Sequence, residues 1–383
     1  MASEGSVAKR LKTSPPTIGT HKHVFHKVER PHRHGKTNAT TPHSGHFHAD
    51  EALAVYLLRQ LPAFAPSTLI RTRDPALLET CSIVVDVGGE YNSANHRYDH
   101  HQRSFNETFP DHNTKLSSAG LVYLHFGREL LAQTLKVSES EEKVGIIWKK
   151  IYKNFIEAID ANDNGISVYD SDALGAANIE KRFHDSGLSI ASLVGDLNVN
   201  WNDPPPPPDQ PPQSYEDAHF ELASTLIGEA FMRKLNYYAH SWLPARDIVH
   251  AAYAKRKTYD SHGRILVFER PLPWKDHLYT LEESSAPQQL PLDGSLVLYV
   301  LYPETNPSET NPHPKWRIQA VPESPSSFTS RKALPEAWRG LRDEKLDEVA
   351  GVQGTVFVHA SGFIGGNKTW EGARQMAEKA VEM

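Results

Sequence analysis

The nine residues SIVVDVGGE, beginning at Ser82, constrain the fold of this chain more than any other stretch. Ile83, Val84, Val85 and Val87 make an apolar run that is broken only by Asp86 and closed by two glycines. A strand with one solvated face alternates apolar and polar residues. A continuous run belongs to a strand covered on both faces, as in a parallel sheet flanked by helices. Asp86 then lies at the carboxyl end of such a strand. A carboxylate there must find hydrogen bonds, an opposite charge or a metal. Ligands of open α/β sheets gather just outside those strand ends.

The surrounding sequence extends this reading. TIGTH (17–21) and TLIRT (68–72) read as short strands. DEALAVYLLRQL (50–61) has Leu53, Leu57, Leu58 and Leu61 on one helical face. Asp50 and Glu51 suit the positive end of that helix. DPALLET opens a short helix with Pro75 in its first turn. Helices are expected over about 117–135, 141–161 and 188–197. This alternation predicts an α/β fold with an open, mainly parallel sheet and flanking helices.

NDPPPPPDQPPQ (202–213) reads as a proline-rich linker. It separates a catalytic domain at 17–201 from a second, smaller α/β domain at 214–383. That second domain should hold helices near 215–238 and 245–256. Its strands are expected in RILVFER, SLVLYVLY, WRIQAV and TVFVHAS, with a polar hairpin extension at 302–315. A glycine turn in GFIGGNK should lead to the terminal helix. Residues 1–16 read as a disordered basic tail, and 22–43 as a polar, His-rich segment without helical or strand period.

Composition narrows the function classes. Hydrophobic residues at 39% and charged residues at 23% describe a soluble globular chain, and no stretch approaches a membrane span. The N-terminal sequence lacks the apolar centre of a secretory signal. A single cysteine, Cys81, rules out an intrachain disulfide framework and suits a reducing compartment. The net charge of −6 gives no global basic signal for nucleic acid, although residues 1–42 carry eight Lys/Arg against two Glu. An acidic body can still bind phosphates where a metal supplies the local positive charge.

Four segments place ligand-type residues at the ends of elements. HSGHFHADE carries His43, His46, His48 and Asp50 at a helix start, and VVDVGG carries Asp86. RYDHHQRSF carries Asp99, His100 and His101, and AIDANDNG carries Asp160 and Asp163 at a helix C-terminus. Acids at that end oppose the helix dipole, which a bound cation would repair. Mixed imidazole and carboxylate ligands suit manganese, zinc, iron or cobalt rather than calcium. Two such ions could ionise a water and clamp a phosphoryl group, so phosphoester hydrolysis is the natural use. Taken singly, such motifs are more often a polar turn or helix start than a metal site; their occurrence in order within one domain favours the metal reading.

TIGTH, SGHFHADEALA, RTRDP, IVVDVGGEY, RYDHHQRSF, FIEAIDANDNG, RPLPWKDHLY and ASGFIGGNKTWEGA together resemble the melanocyte-proliferating-gene family of metal-dependent exonucleases, within the DHH phosphoesterase superfamily. The resemblance runs from Thr17 almost to the C-terminus. It implies a DHH-type catalytic domain, a smaller substrate-binding domain and 3′→5′ exonuclease activity on single-stranded RNA. It further implies a divalent cofactor, two Mn²⁺ with Mg²⁺ or Co²⁺ as alternatives, and a place in nucleus and mitochondrion or in the cytoplasm. No membrane partner is expected. Carried over by position, the metal ligands are His43, His48, Asp50, Asp86, Asp99, His100 and Asp160. His101 and Arg103 would meet the phosphate as catalytic residues. Gly365, Gly366, Asn367 and Lys368 correspond to the substrate loop of the second domain. About 22 residues separate His21 from Ser44, where the family runs on directly, so the leading histidine is either His21 or His43; His43 restores the local spacing. Hydrolysis of a small phosphate compound and a non-catalytic scaffold remain as alternatives.

Overall fold

The structure is a computed structural model. It describes residues 15–20, 46–180, 182–183, 187–284 and 296–383. The basic tail up to residue 14, His21, the 22–43 segment and His43 lie outside the described residues.

The first sheet contains β1 (Thr17–Thr20), β2 (Thr68–Arg71), β3 (Ile83–Val85), β4 (Tyr91–Asn92) and β5 (Arg97–Tyr98), in the order β2-β1-β3-β5-β4. β2, β1, β3 and β5 are mutually parallel, and β4 closes the edge antiparallel to β5. The sheet is therefore mainly parallel, as its unbroken apolar strands require. Ile18, Ile83 and Val85 are wholly buried. The helices of this unit include α1 (Ala49–Arg59), α2 (Pro75–Glu79), α3 (Ser118–Leu135), α4 (Glu142–Ile151) and α5 (Glu157–Asp163). α6 (Ser171–Ala176), α7 (Ile190–Gly195) and α8 (Pro212–Tyr237) follow. α1 buries Leu53, Val55 and Leu58 completely, and the α1–α3 pair forms the principal helix contact. Truncating one of these leucines to alanine typically costs about 2–5 kcal/mol.

The single helix expected over 141–161 is interrupted. A π-helical turn, Tyr152–Ile156, separates α4 from α5. Such a turn holds one residue more than an α-turn and is frequent at functional sites.

The chain divides into two compact units, one ending at Asn236 and the other starting at Tyr237. The division thus falls inside a helical run rather than at the proline segment 202–213. The physical reason is packing. Phe220 meets Phe47 edge to face, the Ser224 hydroxyl donates to the Ala52 carbonyl at 2.8 Å, and Arg59 pairs with Glu221 at 2.6 Å. Most of α8 belongs to the first unit.

After a π-turn at Tyr238–Trp242, the second unit contains α9 (Leu243–Lys255), β6 (Ile265–Val267) and α10 (Lys275–Ser284). It continues with β7 (Tyr299–Pro303), β8 (Trp316–Ala320), α11 (Asp343–Ala350), β9 (Thr355–Val358), β10 (Ile364–Asn367) and α12 (Trp370–Glu382). Its sheet order is β6-β7-β8-β10-β9, parallel only between β6 and β7. This is a second α/β unit, but with a largely antiparallel sheet.

Gly365, Gly366 and Asn367 form part of β10 and not a glycine turn. β10 lies between β8 and β9, so its backbone is paired on both sides. A Cβ on Gly365 would approach Leu334 and the Phe357 carbonyl within 3.1 Å, and one on Gly366 would lie 2.7 Å from Arg317. The glycines serve close packing there. Of the four residues expected to cradle a phosphate, only Lys368 is exposed. Arg331, another basic residue of this unit, is committed to Glu282 at 2.7 Å.

Candidate metal centre

The carboxyl ends of β3 and β5, the N-terminus of α1 and the end of α5 carry the acids and imidazoles. Asp86 follows β3 directly and adopts a left-handed backbone, φ 61°, with Gly88 and Gly89 also at positive φ. Asp and Asn enter that region more readily than other side chains. The turn aims the carboxylate back along the strand end. Asp86 Oδ1 lies 3.4 Å from His100 Nε2 and 3.9 Å from His101 Nδ1.

The donor atoms of Asp86, His100 and His101 all lie within 4.8 Å of one another. A second group with the same spacing consists of His48, Asp50 and Asp163. The groups meet where His100 Nε2 approaches Asp163 Oδ2 at 3.0 Å. His48 and His101 are exposed on the solvent side, whereas Asp50, Asp86 and His100 are buried.

Asp163 therefore stands where Asp160 was expected. Both Asp160 oxygens are committed elsewhere, Oδ1 to the start of α3 and Oδ2 to the π-turn at Tyr152–Ile156. Oδ1 accepts from Ser117 N at 3.0 Å, Ser117 Oγ at 2.7 Å and Gly120 N at 3.0 Å, and Oδ2 accepts from Tyr152 OH at 3.0 Å. α5 ends at Asp163, and three residues of helical rotation separate the two acids.

Asp99 also stands outside both ligand groups. Its Oδ2 accepts from Gly89 N at 2.6 Å, and its Oδ1 accepts from His101 N at 3.0 Å and pairs with His101 Nδ1 at 2.7 Å. Burial would raise Asp99, but the His101 and Gly89 hydrogen bonds outweigh it and hold the acid below the usual carboxylate range. Asp99 thus orients His101, a role outer carboxylates commonly play beside metal-ligating imidazoles. Arg103 is exposed two residues beyond His101.

Repulsion and burial make this a costly arrangement for bare acids. Burial, then Asp50, Glu51, Asp163 and Asp99, push Asp86 well above the carboxylate range. Burial and Asp163 raise Asp50 to about 6. Burial alone would lower His100, but Asp163, Asp50 and Asp99 turn it upward. Asp50 Oδ1, Asp86 Oδ1 and His100 Nδ1 are buried without a hydrogen bond. Buried polar atoms in folded proteins are nearly always satisfied, so these ask for a partner. Divalent cations answer on both counts: they neutralise the acids and bind oxygen and imidazole donors together. The residues present fit such ions.

Glu51 was not anticipated as part of the site, since its position in α1 resembles an ordinary acidic first turn. It is fully buried, accepting from Thr20 Oγ1 at 2.8 Å and from His48 N at 3.1 Å. It ties the end of β1 to the start of α1. Burial, opposed by Arg71, raises it to about 8. A carboxyl whose folded pKa is raised contributes stability that is complete below its unfolded value and is lost as pH climbs through the folded one. For Glu51 that window runs from 4.5 to about 8. In chelator, the melting temperature of the wild-type protein is expected to fall across this window more steeply than that of Glu51→Gln. Equal slopes in thermal melts at several pH values would refute the assignment.

The geometry defines an α/β protein whose parallel strands end in a carboxylate–imidazole centre suited to divalent metal. The chain belongs to the MYG1 exonuclease family: the family model described as an uncharacterised protein family, UPF0160, matches residues 39–381. It is 45% identical over 383 residues to the MYG1 exonuclease of Homo sapiens, covering 97% of this chain and 94% of that protein. It is 46% identical to the MYG1 exonuclease of Mus musculus, over 94% of this chain and 90% of that one. A MYG1 protein of Schizosaccharomyces pombe is 44% identical over 89% of this chain and 96% of its own length. Among solved structures, exonuclease RecJ bound to manganese matches at a TM-score of 0.24 and 12% identity, over 96% of this chain and 90% of that one; a likeness this slight carries no argument.

Proposed function

We propose that the chain is a metal-dependent phosphodiesterase of the DHH type, acting as a 3′→5′ exonuclease on single-stranded RNA. The observation that carries the metal-dependent reading is the pair of donor groups, Asp86–His100–His101 and His48–Asp50–Asp163, joined at His100 and Asp163. The exonuclease names of the mammalian relatives support the reaction class. Of those six side chains, His48, Asp50, Asp86, His100 and Asp163 would hold two divalent ions, with Mn²⁺ as the proposed metal. Ions bound there supply Lewis-acid polarisation of a phosphoryl group and acidify water. Asp99 fixes His101 through Nδ1 and so orients this exposed imidazole, which would meet a phosphate oxygen. Arg103, exposed beside it, offers a fork of donors to the same anion. The proposed location is the nucleus and mitochondrion, or the cytoplasm; no described helix is long and apolar enough to cross a membrane.

A 5′-labelled single-stranded RNA incubated with the purified protein and Mn²⁺ tests the reading. A ladder of products shortened from the 3′ end is expected, with none in chelator. Immediate release of the labelled nucleotide would reverse the direction. Absence of cleavage with Mn²⁺, Mg²⁺ and Co²⁺ would sink the nuclease, and hydrolysis of a dinucleotide or pyrophosphate alone would move the substrate to small phosphate compounds.

A further inference from the structure

We infer that Lys115 holds a phosphate of the substrate at the rim of this centre, an inference that rests on the phosphodiesterase reading. Asp50, Asp86, Asp99 and Asp163 converge there, and among the described residues no lysine or arginine lies within ion-pair distance of any of them. Two divalent ions would balance these four acids, so a phosphodiester brings negative charge that nothing inside the centre offsets.

Lys115 belongs to the chain segment that borders the centre. It sits two residues before Ser117, which binds Asp160, and three before Ser118, which donates to Asp50 Oδ2 at 2.7 Å. Its carbonyl accepts from Asn164 Nδ2 at 3.0 Å, the residue next to Asp163, and a β-bridge to Thr108 pins its backbone. The backbone is therefore held to both sides of the acidic group. The ammonium lies 5.5 Å from the centre of the Phe105 ring, and Phe105 meets the His100 ring edge to face at 6.4 Å. Among the described residues the ammonium has no carboxylate partner. A fixed, half-buried cation without a counter-charge is suited to an incoming anion.

The test compares wild type, Lys115→Met and Lys115→Arg, with Lys149→Met as a charge-matched control whose lysine pairs with Asp111 on the exposed surface. Binding of a fluorescent oligoadenylate is followed by anisotropy between 50 and 200 mM salt, beside KM and kcat with Mn²⁺. Lys115→Met is expected to bind roughly tenfold more weakly, as the loss of one charged hydrogen bond predicts. Its log–log salt slope should be shallower by about 0.7, the value for one phosphate contact on a single strand. KM should rise more than kcat falls, and Lys115→Arg should restore both affinity and slope. An unchanged slope and affinity in Lys115→Met, with wild type binding and cleaving, overturns this role alone. A wild type that neither binds nor cleaves the oligoadenylate overturns it together with the phosphodiesterase reading. If Lys115→Met lowers the melting temperature, Lys115→Arg decides: affinity not restored in a stable protein counts against phosphate contact.

Discussion

Asp86→Asn should abolish metal-dependent hydrolysis while leaving the metal-free protein at least as stable as wild type. Asparagine keeps the shape and tolerates the left-handed backbone at φ 61°, so the turn after β3 persists. What disappears is an acid that burial, then Asp50, Glu51, Asp163 and Asp99, push well above the carboxylate range. In the absence of metal, its loss removes the cost of burying or protonating that group. In the presence of metal, its loss removes the acid that anchors the Asp86–His100–His101 group. Activity should fall by far more than the ~10–100-fold that removal of an outer-shell partner costs. The second readout is thermal. A ligand at a hundred times its Kd stabilises by about 2.7 kcal/mol, which in a unit of this size raises Tm by roughly 5–10 °C. Wild type should show that rise with Mn²⁺ and Asp86→Asn should not. An unaltered rise in the variant would exclude Asp86 as a ligand.

The second large effect separates two acids that sequence spacing does not distinguish. Asp160→Ala should unfold or severely destabilise the protein, whereas Asp163→Ala should fold normally and lose metal. Asp160 receives two backbone N–H groups and two hydroxyls in a fully buried place. Deleting it strands those donors, at about 1–3 kcal/mol for each one left unsatisfied. Against a total stability of roughly 5–15 kcal/mol, that loss is decisive. The fit is close: a Cβ on Gly120 would sit 2.4 Å from either Asp160 oxygen. Among the described residues Asp163 receives no backbone hydrogen bond to its side chain, and its neighbours are His100, His48 and Asp50. Its removal therefore costs the fold little, yet it should eliminate the Mn²⁺-dependent rise in Tm. Melting curves of both variants with chelator and with Mn²⁺ decide the matter. A stable Asp160→Ala that no longer responds to metal would restore Asp160 as the ligand.

The expectation drawn from SIVVDVGGE survived because its cause is local: an unbroken β-branched run has few places to go other than a covered strand, and the acid that ends it has few surroundings that suit it. His48, Asp50, His100 and His101 were visible for the same reason, since each sits beside a recognisable element boundary. The choice between Asp160 and Asp163 was hidden because it depends on which face α5 turns towards α3, and a π-turn resets that face. The place of Asp99 was hidden because a DHH triplet does not reveal which member looks inward; its hydrogen bonds with Gly89 and His101 set it outside both donor groups. Gly365 and Gly366 looked like a turn because paired glycines usually make one, and only the antiparallel partners on both sides show why side chains are excluded. The polar helix α11 was missed because Leu346 and Ala350 are its only buried residues, too few to write a period.

The π-helical turn at Tyr152–Ile156 implies a constraint on length rather than on identity. Each α-helical residue advances by about 100° around the axis. Because the turn already absorbs one extra residue, deleting one residue there would relax it to α geometry and keep all that follows nearly in phase, whereas inserting a further residue would swing it by that angle. With the insertion, Asp160 would leave the start of α3 and Asp163 would leave His100, although no residue of either pair had changed. Substitutions should be tolerated along this turn wherever side chains face solvent, and a single deletion should be tolerated far better than a single insertion. An insertion scan from Lys150 to Glu157 would accordingly show a phase error, losing metal response and fold together.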